Sequence, residues 1–326
     1  MLRWTWRWGL SLTTACGGSL AYRSATPPGL DEFVAIPHDN PPTSAKAELG
    51  RRLFFDRGLS ADGSVSCSSC HRPGRGFSDT LSRSIGAYGR SGTRNAPSLV
   101  NVAYAETLFW DGRVRTLEEQ ALRPIQDTLE MAQPLGSLLD RLRGDLFYRA
   151  AFLRAFRDGV TAANLARALA SYVRSLRFGG APIDRFRAGD TKALTVQAQR
   201  GFRLFQGKAA CTGCHVGPNL TDEGFHNSGV SWGAPDRGRF GVTGEAEDRG
   251  RFSTPSLRAV ACTAPYMHDG SLPTLEAVVA FYDRGGTPNP ELDETIRPLR
   301  LSGPEQADLV AFLEAMTAGC SVPFPR

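Results

Sequence analysis

Two short stretches carry a pair of thiols followed at once by an imidazole: "VSCSSCHRPG" at 65–74, with Cys67, Cys70 and His71, and "AACTGCHVGP" at 209–218, with Cys211, Cys214 and His215. Two cysteines at C-x-x-C spacing can form thioethers with the two vinyl groups of one haem, and the adjacent histidine then falls under the iron as its proximal ligand. The competing chemistry is structural zinc. That would need two C-x-x-C pairs brought together around one ion, and it leaves the histidine after each pair without a purpose. The doubled motif reads as two covalent c-type haems.

Iron chemistry then depends on the sixth position, filled for electron transfer or open for a substrate. The candidates are few: His38, His226 and His268, Met131, Met267 and Met316, and Tyr282. Spacing alone does not choose among them. Of the seven cysteines, four belong to the motifs and Cys16 to the N-terminal stretch, leaving Cys262 and Cys320. In an oxidising compartment two leftover cysteines often pair, but their separation cannot be read from sequence, and a disulfide stays an open alternative.

The elements that must position these groups are helical. "ELGRRLFF" before the first motif and "AQRGFRLF" before the second share Gly-x-x-Leu-Phe and read as helices running into the haem sites, a distant internal repeat. Residues 161–178 form a strongly amphipathic helix, followed by a linker. Residues 304–319 have apolar side chains at helical spacing, opened by Pro304 and stopped by Gly319. The Gly- and charge-rich stretches 86–98 and 229–252 read as loops. The expected class is mainly α, two cytochrome c-like haem domains with extensive loops, spanning 40–185 and 190–322.

The chain has 326 residues and a net charge of +5, with only Lys46, Lys192 and Lys208 as lysines. No basic run interleaved with aromatics supports nucleic-acid binding. Residues 1–25 resemble an export signal, too short and too interrupted by arginine to span a membrane. "LTTAC" loosely resembles a lipoprotein site, with Leu12 one place too far from Cys16, so ordinary cleavage and a lipid anchor at Cys16 are both expected alternatives. A periplasmic location follows from either.

Over nearly all its mature length the chain resembles the bacterial di-haem cytochrome c peroxidase and MauG family, through "LFFDRGLSADGSVSCSSCH", "RNAPSLVN", "LFWDGRVRTLEEQALRPIQDTLEM", "CTGCH" and "FSTPSLRAVACTAPYMHDG". The resemblance implies a peroxide-using N-terminal haem and an electron-transfer C-terminal haem. It gives the latter's sixth ligand to Tyr282, where ordinary peroxidases have Met and MauG-like members Tyr, leaving Met267 and His268 as packing residues. It puts Ala87 where peroxidases often carry a removable distal His, so the N-terminal iron is expected open. By the same resemblance Glu130 is the catalytic acid–base, Gln120 and Pro124 complete the distal pocket, Trp110 relays charge between the haems, and Asn95, Thr263 and Pro265 hold a calcium ion.

The substrate so implied is hydrogen peroxide, with a protein substrate or small redox protein as partner. Ala209 stands where tryptophylquinone-forming members have a surface Trp; Trp232 lies in another loop. The alternatives are an ordinary di-haem peroxidase fed by a small cytochrome c or cupredoxin, and a pure electron-transfer cytochrome.

Overall fold

The computed structural model describes residues 26–321; the expected export segment and Cys16 lie outside them. The described chain is mainly helical. Its helices are α1 (Ser44–Phe55), α2 (Cys67–Cys70), α3 (Leu117–Gln126), α4 (Leu135–Gly144), α5 (Leu146–Ala155), α6 (Ala162–Arg174), α7 (Pro182–Arg187), α8 (Val196–Gln206), α9 (Phe240–Thr243), α10 (Leu275–Asp283) and α11 (Gly303–Glu314). One two-stranded antiparallel ribbon joins β1 (Phe225–His226) to β2 (Phe252–Ser253).

The long helices start at threonine or serine caps. Thr43, Thr161, Thr195 and Ser302 each accept a backbone N–H of the first turn, satisfying a donor the helix itself cannot. Two crossings organise everything else: α1 packs on α6, and α8 on α11. The repeated Gly-x-x-Leu-Phe explains both. A Cβ at Gly50 would overlap the carbonyl of Ala168, and one at Gly201 would overlap that of Asp308; glycine lets the helix backbones touch. The phenylalanine four residues on then meets the partner helix, Phe54 against Tyr172 at 5.0 Å and Phe205 against Phe312 at 5.1 Å between centroids. Each crossing anchors its own apolar core, one built from residues between Leu49 and Leu176, the other between Ala181 and Met316.

The structure departs from the sequence expectations in detail. The haem cysteines are not on the Gly-x-x-Leu-Phe helices but on separate single turns, α2 and a 3-10 turn at Cys211–Gly213. Asp56 ends α1 and caps the next turn through Gly58 N–H; Gly207 ends α8. The last helix stops at Glu314, five residues short of Gly319. Beyond it the chain turns to pair with 259–261: Ala259 N–H donates to Met316 O, and Ala261 N–H to Thr317 Oγ1. Likewise α6 ends early because buried Asn101 takes up the chain after it, through Leu176 O and both polar groups of Phe178. A short helix, α9, lies inside the expected loop 229–252. Cys262 and Cys320 are disulfide-bonded, Cα atoms 5.4 Å apart, and tie the C-terminal tail beside Gly76, whose N–H donates to Cys320 O. No described helix is long and apolar enough to cross a membrane.

Candidate haem cavity

Both thiol–imidazole motifs open onto one mostly apolar cavity of about 1520 Å³, larger than the roughly 300–1,000 Å³ of a single small-ligand pocket. Every site residue singled out from the sequence lines it: Cys67, Cys70, His71, Cys211, Cys214, His215, Trp110, Gln120, Pro124, Glu130, Tyr282, Asn95, Thr263 and Pro265.

The donor set fits two haems. His71 Nδ1 meets Phe77 O at 3.1 Å and His215 Nδ1 meets Leu220 O at 3.0 Å, so in both rings Nδ1–H is engaged and Nε2 is left to bind iron, the usual outer-shell arrangement of a metal-ligating histidine. Phe77 and Leu220 both hold positive φ (55° and 57°), which turns those carbonyls back onto the rings. Burial pushes the thiols of Cys67 and Cys211 up to about 12 and that of Cys70 to about 11. Zinc does not fit. The one grouping of potential metal ligands among the described residues is Cys214, Asp222 and His226, and the two C-x-x-C pairs do not converge on one site.

Near the first motif, Glu130 sits on the turn after α3. Leu129 N–H donates to Asp127 Oδ1 at 2.8 Å, and Ala132 N–H to Asp127 O at 2.8 Å. Burial, then the Asp127 carboxylate, push Glu130 up to about 7, against the pull of Arg113. A carboxyl group at that value can both accept and return a proton near neutrality. Its charge is felt at Cys67 and Cys70. The 86–87 turn is clamped to the same segment: Ala87 N–H donates to Glu130 O at 2.6 Å, and a Cβ at Gly86 would overlap Leu129 O and Glu130 O. Ala87 is fully buried and presents only a methyl group.

Tyr282, on α10, lies beside the second motif. Burial pushes its phenol up to about 12, with Cys214 and Cys211 pushing the same way. Met131 and Met316 are core residues, and His38 is exposed. His268 is buried, its ring stacked 3.4 Å from Phe252 and edge-on to Trp110 at 6.5 Å; burial lowers it to about 4. Met267 lines the cavity at φ 74°.

A second internal repeat went unread in the sequence. "DGRVRTLE" from Asp111 and "DGSLPTLE" from Asp269 each follow a positive-φ residue, Phe109 or Met267, and run into a helix capped by threonine, Thr116 for α3 and Thr274 for α10. Pro124 and Tyr282 are each the eighth residue after that threonine. The two cavity ends thus share one frame, with a ring that offers no donor at one end and a phenol at the other.

Trp110 is held from both halves. Its Nε1–H donates to Asn95 O at 2.9 Å, and its own carbonyl accepts from Ser253 N–H at 2.8 Å. Arg94, also not anticipated, locks this loop by pairing with Asp111 at 2.7 Å and Asp236 at 2.6 Å. Asn95 donates its amide N–H to Leu81 O and its backbone N–H to His268 O, which turns its amide oxygen away from Leu81. Ala209 is buried, and Trp232 packs against Gly250 outside the cavity lining.

Comparison with known proteins gives concordant results. The family model described as "Di-haem cytochrome c peroxidase" matches residues 44–192, and a RoxA-like, cytochrome c-like model matches 251–286. The methylamine utilization protein MauG of Methylorubrum extorquens is 39% identical over 94% of this chain and 91% of its own. Cytochrome-c peroxidase IdrP1 of Denitromonas iodatirespirans is 37% identical over 87% and 84%. A crystal structure of a MauG-like protein associated with microbial copper homeostasis superposes with a TM-score of 0.81 at 34% identity, covering 96% of both chains.

Proposed function

The chain belongs to the di-haem cytochrome c peroxidase and MauG family, an oxidoreductase acting on peroxide, and on that premise we propose that it is an exported enzyme of the MauG-like kind. Haem supplies the redox-active iron that takes peroxide and holds the oxidising equivalents. In this reading Cys67 and Cys70 tether the N-terminal haem over His71 in the 40–185 domain, and Cys211 and Cys214 tether the second over His215 in the 190–322 domain. Glu130 removes a proton from the incoming peroxide and returns it to the departing oxygen. Gln120 and Pro124 wall the same pocket without blocking it. Trp110 carries charge between the two ends, and Tyr282 completes the C-terminal haem. The amide oxygen of Asn95 and the carbonyls of Thr263 and Pro265 hold a calcium ion. The partner is a protein substrate or a small redox protein.

The observation that carries the MauG-like reading is the phenol of Tyr282 in the cavity beside Cys211 and Cys214; by the family resemblance, Ala87, buried next to the cavity-lining Gly86, takes the place of a removable ligand. Denatured protein should show an intact mass with two added haems; replacing Cys211 and Cys214 together should leave one. The ferric protein, as isolated, should react with one equivalent of peroxide with no prior reduction. A requirement for one-electron reduction would instead place it with the ordinary peroxidases.

A further inference from the structure

The carbonyl that holds each proximal imidazole belongs to a residue in an unfavourable backbone state. Phe77 and Leu220 sit at φ 55° and 57°, a region that residues with a Cβ avoid and keep only where their surroundings enforce it. The peptide unit entering each of them is held at both polar ends. Phe77 N–H donates to Arg72 O at 3.0 Å, and Leu220 N–H to Gly217 O at 3.3 Å. At the other end of the same unit, the carbonyl of the preceding residue accepts from a serine. Ser98 Oγ lies 2.6 Å from Gly76 O, and Ser256 Oγ lies 2.6 Å from Asn219 O. Because a peptide unit is planar, fixing both ends fixes the plane from which Phe77 or Leu220 departs.

The two serines occupy equivalent places in the chain. "NAPSLVNVA" (95–103) and "STPSLRAVA" (253–261) share Pro-Ser-Leu-x-x-Val-Ala. In each, a left-handed residue, Asn101 (φ 61°) or Ala259 (φ 58°), leads into a 3-10 turn, Val102–Tyr104 or Val260–Cys262. Each hydroxyl also accepts from the backbone two residues on, Val100 N–H and Arg258 N–H, both at 3.1 Å. An N–H only donates and a carbonyl only accepts, so the hydroxyl's one proton goes to Gly76 O or Asn219 O. The surroundings of the two copies differ. Leu99 N–H donates directly to Phe77 O at 3.2 Å, whereas at the second loop Ser256 Oγ also lies 3.1 Å from Asn219 Oδ1 and Arg258 Nε donates to Pro218 O at 2.8 Å. The serine-to-carbonyl bond is what both ends have in common.

We propose that Ser98 and Ser256 are positioning residues for the two proximal histidines: each hydroxyl fixes the peptide plane from which Phe77 or Leu220 turns its carbonyl onto Nδ1 of His71 or His215. The inference rests on those histidines being the iron ligands. A well-aimed carbonyl strengthens the Nδ1–H bond and with it the donor power of Nε2, one of the protein's levers on a haem's potential. Each serine therefore governs the haem of its own motif and not the other.

The test uses the two-haem protein with Ser98→Ala, Ser98→Thr, Ser256→Ala and Ser256→Thr, haem content and circular dichroism serving as folding controls. Ser98→Ala should lower the iron–histidine stretching frequency of the reduced N-terminal haem in resonance Raman spectra and raise that haem's potential, leaving the C-terminal haem unmoved. Ser256→Ala should raise the potential of the C-terminal haem alone. Threonine at either place keeps the hydroxyl and should recover the wild-type values. If the alanine variants keep wild-type stretch and potentials, or if either shifts both haems alike, the serines only stabilise the fold and the proposal is overturned. If the reduced wild-type protein shows no iron–histidine band at all, the ligand reading beneath it fails instead.

Discussion

Replacing Glu130 by Gln is expected to slow the reaction with hydrogen peroxide by about 10²–10⁴-fold, the usual cost of removing a positioned acid–base, with both haems still attached. Gln keeps the shape of the side chain and its place on the Asp127-capped turn, but it cannot take up the proton. The pH profile should separate the two proteins further. Burial holds Glu130 near 7, so the wild-type rate should climb as pH rises through 7 and the carboxylate forms, whereas the variant should be flat there. Stability should move the opposite way. The folded-state value is raised above the ordinary glutamate value of 4.5, so the folded protein binds the proton more tightly than the unfolded chain. That advantage is complete below 4.5 and is lost as pH rises to about 7. Above pH 7 the Gln variant should therefore be at least as stable as the wild type. Stopped-flow mixing with peroxide and denaturant titration at pH 6 and 8 measure both. A variant that reacts normally, or that loses rate and stability together, would show Glu130 to be a structural residue.

How far such a site is legible in sequence depends on whether its chemistry is local. Covalent haem attachment needs two cysteines and a histidine on one turn of chain, so the motif must be contiguous, and Cys67 to His71 and Cys211 to His215 stand out. The glycines of the Gly-x-x-Leu-Phe repeat are legible for the same reason, although which helices they admit is not: Gly50 faces Ala168 more than a hundred residues on. Whatever is set by distant partners was hidden. The end of α11 is fixed by the pairing of Ala259 with Met316 and of Ala261 with Thr317, and by the Cys262–Cys320 bond, none of which helix periodicity reports. Glu130 reads in isolation as an ordinary surface glutamate, and its proton affinity comes from the cavity wall. The equivalence of Pro124 and Tyr282 was available in the repeated D-G-x-x-x-T-L-E. It acquires meaning only when Phe109 and Met267 are seen to turn the chain in the same way. Roles that came from family resemblance, the calcium ligands among them, rest on positions that the fold brings to one cavity but that no local pattern would have selected.

Tyr282→Phe is expected to convert the C-terminal haem from low-spin to high-spin, because the frame it occupies then matches the other end of the cavity, where Pro124 fills the corresponding position and offers no donor. Ferric wild-type protein should accordingly show one high-spin and one low-spin haem, without the thioether-to-iron band near the red edge of the spectrum. Tyr282→Met should restore a sixth ligand of the other kind and raise that haem's potential, since a thioether favours the reduced iron and a phenolate the oxidised one. Burial pushes the phenol up to about 12, against about 10 for a free tyrosine. Deprotonation must then come from bonding to the metal, as for other ligands whose binding releases a proton. Met267→Leu, by contrast, should change little: its turn is the counterpart of the one at Phe109, and the residue beside it, His268, is spent on stacking against Phe252. Electron paramagnetic resonance of the four ferric proteins, with a potentiometric titration of each, decides the matter. Loss of the low-spin signal in Met267→Leu and its survival in Tyr282→Phe would assign the ligand to the thioether and return the chain to the ordinary peroxidases.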